Sequence, residues 1–248
     1  MTSTPTAPRT DIPRMIGHRG AAAHAPENTI PGLKNAKELG ARWVEFDCML
    51  SMDDVVVLHH DDTLDRTTNG TGLVSEKSFV ELRRLDAGAW FGPEFKGTAI
   101  PSFDQTIAAL TSLGLGANVE IKPVTGHERR TGQIVAAQTA QLWPASLPPA
   151  LLSSFSLEAL EEAMKIAPQV DRAILWWNIP EDWHDHHMRL GASAAHVSVK
   201  KLSDRQAAAF RDAGVPFRVY TVNDPADAER LFALGCEAIF TDYPDRFA

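Results

Sequence analysis

Short apolar, β-branched runs alternate along this chain with longer stretches in which apolar residues recur at helical spacing. The runs at 14–18, 43–47, 117–122, 150–155, 172–177, 194–198, 216–223 and 238–242 read as strands. Amphipathic stretches fit between them as helices. Residues 29–39 close with Gly40, 157–166 stop before Pro168, 204–213 end at Gly214 and 226–234 end at Gly235. Asn28 can cap the first of these with its side-chain oxygen, and Pro31 falls in the first turn, where its missing amide costs little. Strands that alternate with crossover helices run parallel, and eight of them predict an α/β fold, the (β/α)8 TIM barrel.

The stretch from 55 to 100 interrupts this rhythm after the second strand. It holds an apolar run, a Thr/Asn/Gly loop and a short helix, with Trp90, Phe91 and Phe95 among its residues. A detour of that length usually has a task, and at the C-terminal face of a barrel it predicts a rim or lid over the active site. The small insertion is placed at about 61–100, inside a single domain at 14–248. Residues 1–13, rich in Thr, Pro and Ser, read as a flexible tail.

Charge enters where a core should exclude it. Glu45 and Asp47 lie inside 43–50, and Glu120 and Lys122 inside 117–122. Alternate strand residues share a face, so Glu45 projects with Asp47 and Glu120 with Lys122, while Val44, Phe46, Cys48, Val119 and Ile121 face the other way. Three carboxylates cannot be neutralised by one lysine, and buried ions cost several kcal/mol each unless they are paired or bind metal. A divalent cation is the expected solution.

Bulk properties narrow the function. The 248 residues, 44% of them hydrophobic, suffice for one large core. A net charge of −8 without a basic stripe excludes a nucleic-acid partner and leaves a small anion possible. No apolar run approaches bilayer length and no secretory signal opens the chain, so a soluble, cytoplasmic protein with two buried, reduced thiols, Cys48 and Cys236, is expected. The oligomeric state is not legible.

His18-Arg19-Gly20 ends the first strand, Glu27-Asn28-Thr29 follows, and His60-Asp61 ends the apolar run at 55–58. With Glu45-Phe46-Asp47, the loop at 64–70, Glu120-Ile121-Lys122, and the later runs at 86–90, 152–155, 220–223 and 240–242, the order and spacing resemble the glycerophosphodiester phosphodiesterase family over nearly the whole chain. The bacterial cytoplasmic form associated with glycerol-3-phosphate uptake is the nearest in kind.

The resemblance implies hydrolysis of a glycerophosphodiester to glycerol 3-phosphate and an alcohol. Glu45, Asp47 and Glu120 would hold one hard cation, Mg²⁺ or Ca²⁺, with Mn²⁺ as a further candidate, because such ions prefer oxygen ligands. His18 and His60 would divide the acid and base roles, either of which imidazole can fill near neutral pH. Arg19 and Lys122 would contact phosphate oxygens. Glu27, Asn28, Thr221 and Asn223 are candidates for supporting or pocket-lining positions. A lysophospholipase D-like phosphodiesterase and a non-catalytic glycerophosphate-binding module are the alternatives.

Other residues read as structural. His59 alternates away from His60 and is expected to pack or face solvent, and Asp61 and Arg66 are expected to brace their loop. Trp90 and Phe91 are expected to pin the insertion to the barrel. His184 and His187, one helical turn apart, are expected on the solvated surface of an outer helix.

Overall fold

The computed structural model of the protein describes residues 11–248, so most of the expected tail, residues 1–10, lies outside the described residues. In chain order the elements are β1 (Met15–Gly17), α1 (Ile30–Glu38), β2 (Trp43–Leu50), β3 (Val56–Leu58), α2 (Phe79–Leu82), α3 (Phe103–Leu113), β4 (Gly116–Ile121), α4 (Glu128–Leu142), β5 (Leu151–Ser154), α5 (Leu157–Ile166), β6 (Asp171–Trp176), α6 (Trp183–Leu190), β7 (Ala194–Ser198), α7 (Asp204–Asp212), β8 (Phe217–Tyr220), α8 (Pro225–Ala233) and β9 (Ala238–Thr241). Eight strands form a closed parallel ring in the order β1-β2-β4-β5-β6-β7-β8-β9, with β9 returning to β1. This is the (β/α)8 barrel that the alternation of strand and helix predicts. The ninth strand, β3, stands outside the ring and pairs antiparallel with the end of β2.

Two apolar layers sandwich the ring. Outward-facing Val44, Phe46, Cys48, Val119 and Ile121 join helix residues such as Leu33, Phe103 and Val135 in the larger cluster. Inward-facing Ile16, Trp43, Leu151, Ala173, Ala194 and Ala238 close the barrel floor. The floor depends on one pairing of sizes. Trp43 on β2 lies in register with Gly116 on β4, and a methyl group at 116 would sit 2.4 Å from the indole. Glycine is therefore required there by space. Above this plug the inward positions turn polar, with Glu45, Asn118, His196 and Arg218 buried at the next level. Cys48 and Cys236 are buried and unpaired.

Three local expectations are revised. Thr29, not Asn28, caps α1, its hydroxyl accepting from Gly32 N–H, because the Asn28 side chain is taken up by Asp47. His187 is buried rather than solvated: it shares the inner face of α6 with Leu190, and its removal from water lowers its pKa to about 4. The insertion is fixed to the barrel by Leu64, Val74, Leu82, Ala87 and Ile100 against Met49 and Val57. Trp90, Phe91 and Phe95 instead stack edge-to-face on one another, and the Trp90 indole donates to the Ala87 carbonyl. No helix among the described residues is long and apolar enough to cross a membrane.

The size pairing on the floor gives a direct test. Gly116→Ala is expected to destabilise the fold by about 1–3 kcal/mol through overpacking. Because the clash is with the indole, the cost measured by urea unfolding should shrink in a Trp43→Leu background. An equal cost in both backgrounds would show that the floor is not set by this contact.

Candidate active site

The inward faces of β2 and β4 carry Glu45, Asp47 and Glu120 to the C-terminal mouth of the barrel, and register alone puts Asp47 opposite Glu120. All three are buried, and one oxygen of each lies within 4.8 Å of the others. Desolvation and the neighbouring carboxylates push Glu45 well above the usual carboxylate range and Glu120 to about 7. Asp47 goes the other way. Burial alone would raise it, but the charges of Arg19 and Lys122 and the amide of Asn28 hold it below its ordinary value. Lys122 Nζ stands 3.7 Å from Asp47 Oδ1 and 3.5 Å from Glu120 Oε1, and these acids outweigh burial to keep it firmly protonated.

That arrangement fits a divalent cation. Glu45 Oε1 is buried without a hydrogen-bond partner among the described residues, and three clustered carboxylates outnumber the cationic groups facing them closely enough to neutralise them. An all-oxygen donor set of this kind suits a hard ion. The acidic triad is thus able to hold one metal.

The turn after β1 is folded onto these acids by hydrogen bonds. Arg19 N–H donates to Glu45 Oε2 at 2.9 Å, while its guanidinium donates to Glu27 at 2.7 Å and stands 3.4 Å from Asp47. Asn28 clasps Asp47 from both sides, donating from Nδ2 at 2.8 Å and accepting the Asp47 N–H at 3.0 Å. Both residues adopt left-handed backbone, with φ of 50° at Arg19 and 56° at Asn28. Strain of that kind persists where contacts on every side demand it. Gly20, at φ 89°, has no room for a Cβ, which would sit 2.6 Å from the Gly32 backbone of α1.

Two imidazoles flank the triad, and each is oriented by a carboxylate. His18 Nδ1 donates to Asp242 Oδ1 at 2.6 Å, and His60 Nδ1 donates to Asp61 Oδ1 at 2.6 Å. His18 Nε2 is left 3.9 Å from Glu45. His60 reaches the site by a return: β2 rises past the triad, β3 comes back antiparallel, and His59 N–H then bonds the Asp47 carbonyl. Burial is the main cause that lowers the His60 pKa, against the pull of Asp47. Arg66 fastens this arm, donating to both Asp61 and Glu27, and its hydrogen bond is the main reason that Asp61 stays below its ordinary pKa. His59 packs inward, its Nε2 donating to the Thr63 carbonyl.

Of the residues that the sequence singles out, His18, Arg19, Glu45, Asp47, His60, Glu120, Lys122 and Thr221 line one cavity of about 350 Å³. Glu27, Asn28 and Asn223 stand behind them. Asn223 donates to Asp242 Oδ2 at 2.7 Å and accepts the Asp242 N–H at 2.9 Å, so it holds the carboxylate that holds His18. Asp242 itself was not singled out, although it ends the last strand-like run beside Thr241, where a barrel presents its working groups. Also unforeseen is the far wall, formed by Phe155, Leu175, Trp177, His196, Tyr220 and Phe240. Its signal in the sequence is weak, because aromatic residues in strands ordinarily read as core.

Residues 18–246 match the Glycerophosphoryl diester phosphodiesterase family. A glycerophosphodiester phosphodiesterase of Caldanaerobacter subterraneus is 31% identical over 236 residues, 93% of this chain and 94% of the relative. Among solved structures, a phosphodiesterase of Oleispira antarctica in complex with the product sn-glycerol-3-phosphate superposes with a TM-score of 0.91 at 36% identity, covering 95% of each chain. A glycerophosphodiester phosphodiesterase of Agrobacterium tumefaciens matches with a TM-score of 0.72 at 29% identity over 95% of this chain and 99% of the other. With the triad, its flanking imidazoles and these likenesses together, the chain belongs to the glycerophosphoryl diester phosphodiesterase family and is an enzyme of that class, a phosphoric diester hydrolase.

Proposed function

We propose that the protein hydrolyses small glycerophosphodiesters, such as glycerophosphocholine or glycerophosphoethanolamine, to glycerol 3-phosphate and the free alcohol by two-histidine acid/base catalysis. The observation that carries this reading is the pair of carboxylate-anchored imidazoles, His18–Asp242 and His60–Asp61, on either side of an acidic triad. A phosphodiester resists attack because its own anionic oxygens repel the nucleophile, and its alcohol leaves poorly unless protonated. Both difficulties have an answer in these residues.

Glu45, Asp47 and Glu120 would hold Mg²⁺ or Ca²⁺, which when bound would supply positive charge to offset the negative charge of the phosphate. Arg19 and Lys122 take the remaining charge. Arg19 is oriented by Glu27, and Lys122 keeps its proton beside Asp47 and Glu120, so each presents a fixed cation to the cavity. Anchoring Nδ1–H to a carboxylate leaves Nε2 of each imidazole as the working nitrogen. One Nε2 takes the proton from the attacking oxygen, and the other, as imidazolium, gives its proton to the departing alkoxide. The attacking oxygen is either the glyceryl hydroxyl next to the phosphate, which closes a cyclic phosphate that water later opens, or water itself. Both routes use the same two nitrogens and give the same products. The Oleispira relative with bound sn-glycerol-3-phosphate supports this choice of product.

Release of glycerol 3-phosphate from a panel of diesters, with metal stripped by chelator and returned one ion at a time, tests the reading. Lysophospholipid turnover without glycerophosphodiester turnover would overturn the substrate, and binding without turnover in any metal would overturn catalysis. His18→Ala and His60→Ala should each lower kcat/KM by about 10²–10⁴-fold while the unfolding midpoint changes little. Asp242→Asn should lower it less, since it disturbs only the orientation of His18. Near-normal rates in the alanine variants would refute the assigned roles.

Metal binding should depend on pH with a definite sign. Burial and Asp47 push Glu120 up to about 7, so below that pH the cation must displace the Glu120 proton and above it that carboxylate is already free to bind. The rise in melting temperature that Mg²⁺ or Ca²⁺ produces in chelator-stripped protein should therefore be larger at about pH 8 than at about pH 5.5. Glu120→Gln should show a small rise at both. A pH-independent rise in the unsubstituted protein would overturn competition between the Glu120 proton and the cation.

A further inference from the structure

Arg66 stands where two arms of the active site meet, and both edges of its guanidinium are engaged. The Nε and Nη2 edge donates to Asp61, at 2.6 Å to Oδ2 and 3.0 Å to Oδ1. The Nη1 and Nη2 edge donates to Glu27, at 2.8 Å to each carboxylate oxygen. A guanidinium is planar and presents its donors in a rigid fork, so one that is bidentate to two carboxylates fixes them relative to each other. Lysine, a point charge on a flexible stem, has no such geometry.

Each carboxylate passes that order on to a group that lines the cavity. Asp61 Oδ1 accepts from His60 Nδ1 at 2.6 Å, and Glu27 Oε1 accepts from Arg19 Nη1 at 2.7 Å. These are the same two oxygens that Arg66 Nη2 reaches. His60, Asp61, Arg66, Glu27 and Arg19 thus form one continuous hydrogen-bonded chain. Its two ends, His60 and Arg19, line the cavity, and the residues between them do not.

Charge follows the same path. Burial would raise the Glu27 pKa, but hydrogen bonds from Arg66 and Arg19 keep it below its ordinary value. Without Arg66, the carboxylates of Asp61 and Glu27 would face Arg19 alone, and the surroundings of an anionic substrate would carry one more negative charge. The backbone that presents Arg66 is anchored in the insertion. Leu64 is buried in the insertion's core, and the Thr68 hydroxyl donates to the Leu64 carbonyl at 2.7 Å. Asn69 N–H donates to the Asp86 carbonyl at 3.0 Å, and Asp86 N–H returns to Asn69 Oδ1 at 2.8 Å.

We propose that Arg66 is a positioning residue that locks the His60 arm to the Arg19 turn, so that the acid/base imidazole and the phosphate-binding guanidinium are set as one unit. Local spacing presents Arg66 only as a brace for its own loop, and the contact with Glu27, 39 positions away, gives it the second arm. The inference rests on the glycerophosphodiester reading above and deepens it by naming what aligns two of its groups. Arg66 does not line the cavity and moves no proton. It acts through geometry and charge, and a misplacement of about 1 Å at a reacting group can cost about 10²-fold in rate.

The test measures glycerol 3-phosphate release from glycerophosphocholine in saturating metal. Arg66→Ala should lower kcat/KM by about 10- to 100-fold, with KM raised by the lost charge and kcat lowered by the lost alignment. Arg66→Lys restores the charge without the forks and should recover KM more fully than kcat. A role confined to bracing the loop would instead lower the urea unfolding midpoint and leave KM at the wild-type value. In an Asp61→Asn, Glu27→Gln background, which lacks both carboxylates, Arg66→Ala should cost almost nothing further, because its effect passes through those two groups. Near-wild-type kcat/KM in Arg66→Ala overturns the proposal, and so does an undiminished loss in that background. Should the alanine variant unfold, Arg66→Lys, which keeps the stem and the charge, carries the same comparison. Failure of the wild type to hydrolyse any glycerophosphodiester would overturn the underlying function instead, which keeps the two failures distinct.

Discussion

Repulsion among Glu45, Asp47 and Glu120 is the constraint around which this barrel is organised. Three carboxylates within 4.8 Å in a buried setting are unstable by themselves, and the surrounding residues are spent on holding them there. Arg19 gives Glu45 a backbone N–H and brings its guanidinium to Asp47, Asn28 clasps Asp47, and Lys122 spans Asp47 and Glu120. Even so, Glu45 and Glu120 keep raised pKa values, so the arrangement retains a demand for positive charge that a cation satisfies. A site with this residual demand is able to hold a metal ion.

The side chains that line the cavity are positioned by an outer ring of contacts that does not line it. Asn223 steadies Asp242, which orients His18; Arg66 steadies Asp61, which orients His60; Arg66 also reaches Glu27, which orients Arg19. Arg66 belongs to the insertion, and Glu27 to the loop after β1. The antiparallel return through β3 delivers one imidazole, and Arg66 from the insertion couples that arm to the opposite loop.

The cavity has two unlike halves. On the β2 and β4 side it is acidic and cationic by turns. On the β5 to β9 side it offers Phe155 and Trp177, 43% and 47% exposed, at the surface and Leu175, Phe240 and His196 at depth. Such a wall, largely apolar with a few polar atoms, has the usual balance of a small-molecule pocket.

Much of this was legible without coordinates because it depends on periods of two and of about 3.6 residues. The eight ring strands, the glycine stops of the crossover helices, and the shared face of Glu45, Asp47, Glu120 and Lys122 follow from local spacing alone. What spacing cannot contain is the partner of each side chain. Asn28 as a clasp on Asp47 instead of a helix cap, Asp242 behind His18 across 224 positions, the inward turn of His187 and the reach of Arg66 to Glu27 all arise from contacts between residues distant in the chain. The sequence by itself determined which faces carry charge and which carry apolar bulk, since side-chain direction is set by backbone period. Only closure of the barrel decided which of those charges meet and which polar atoms remain unpaired, because that depends on register and shear between strands far apart in sequence.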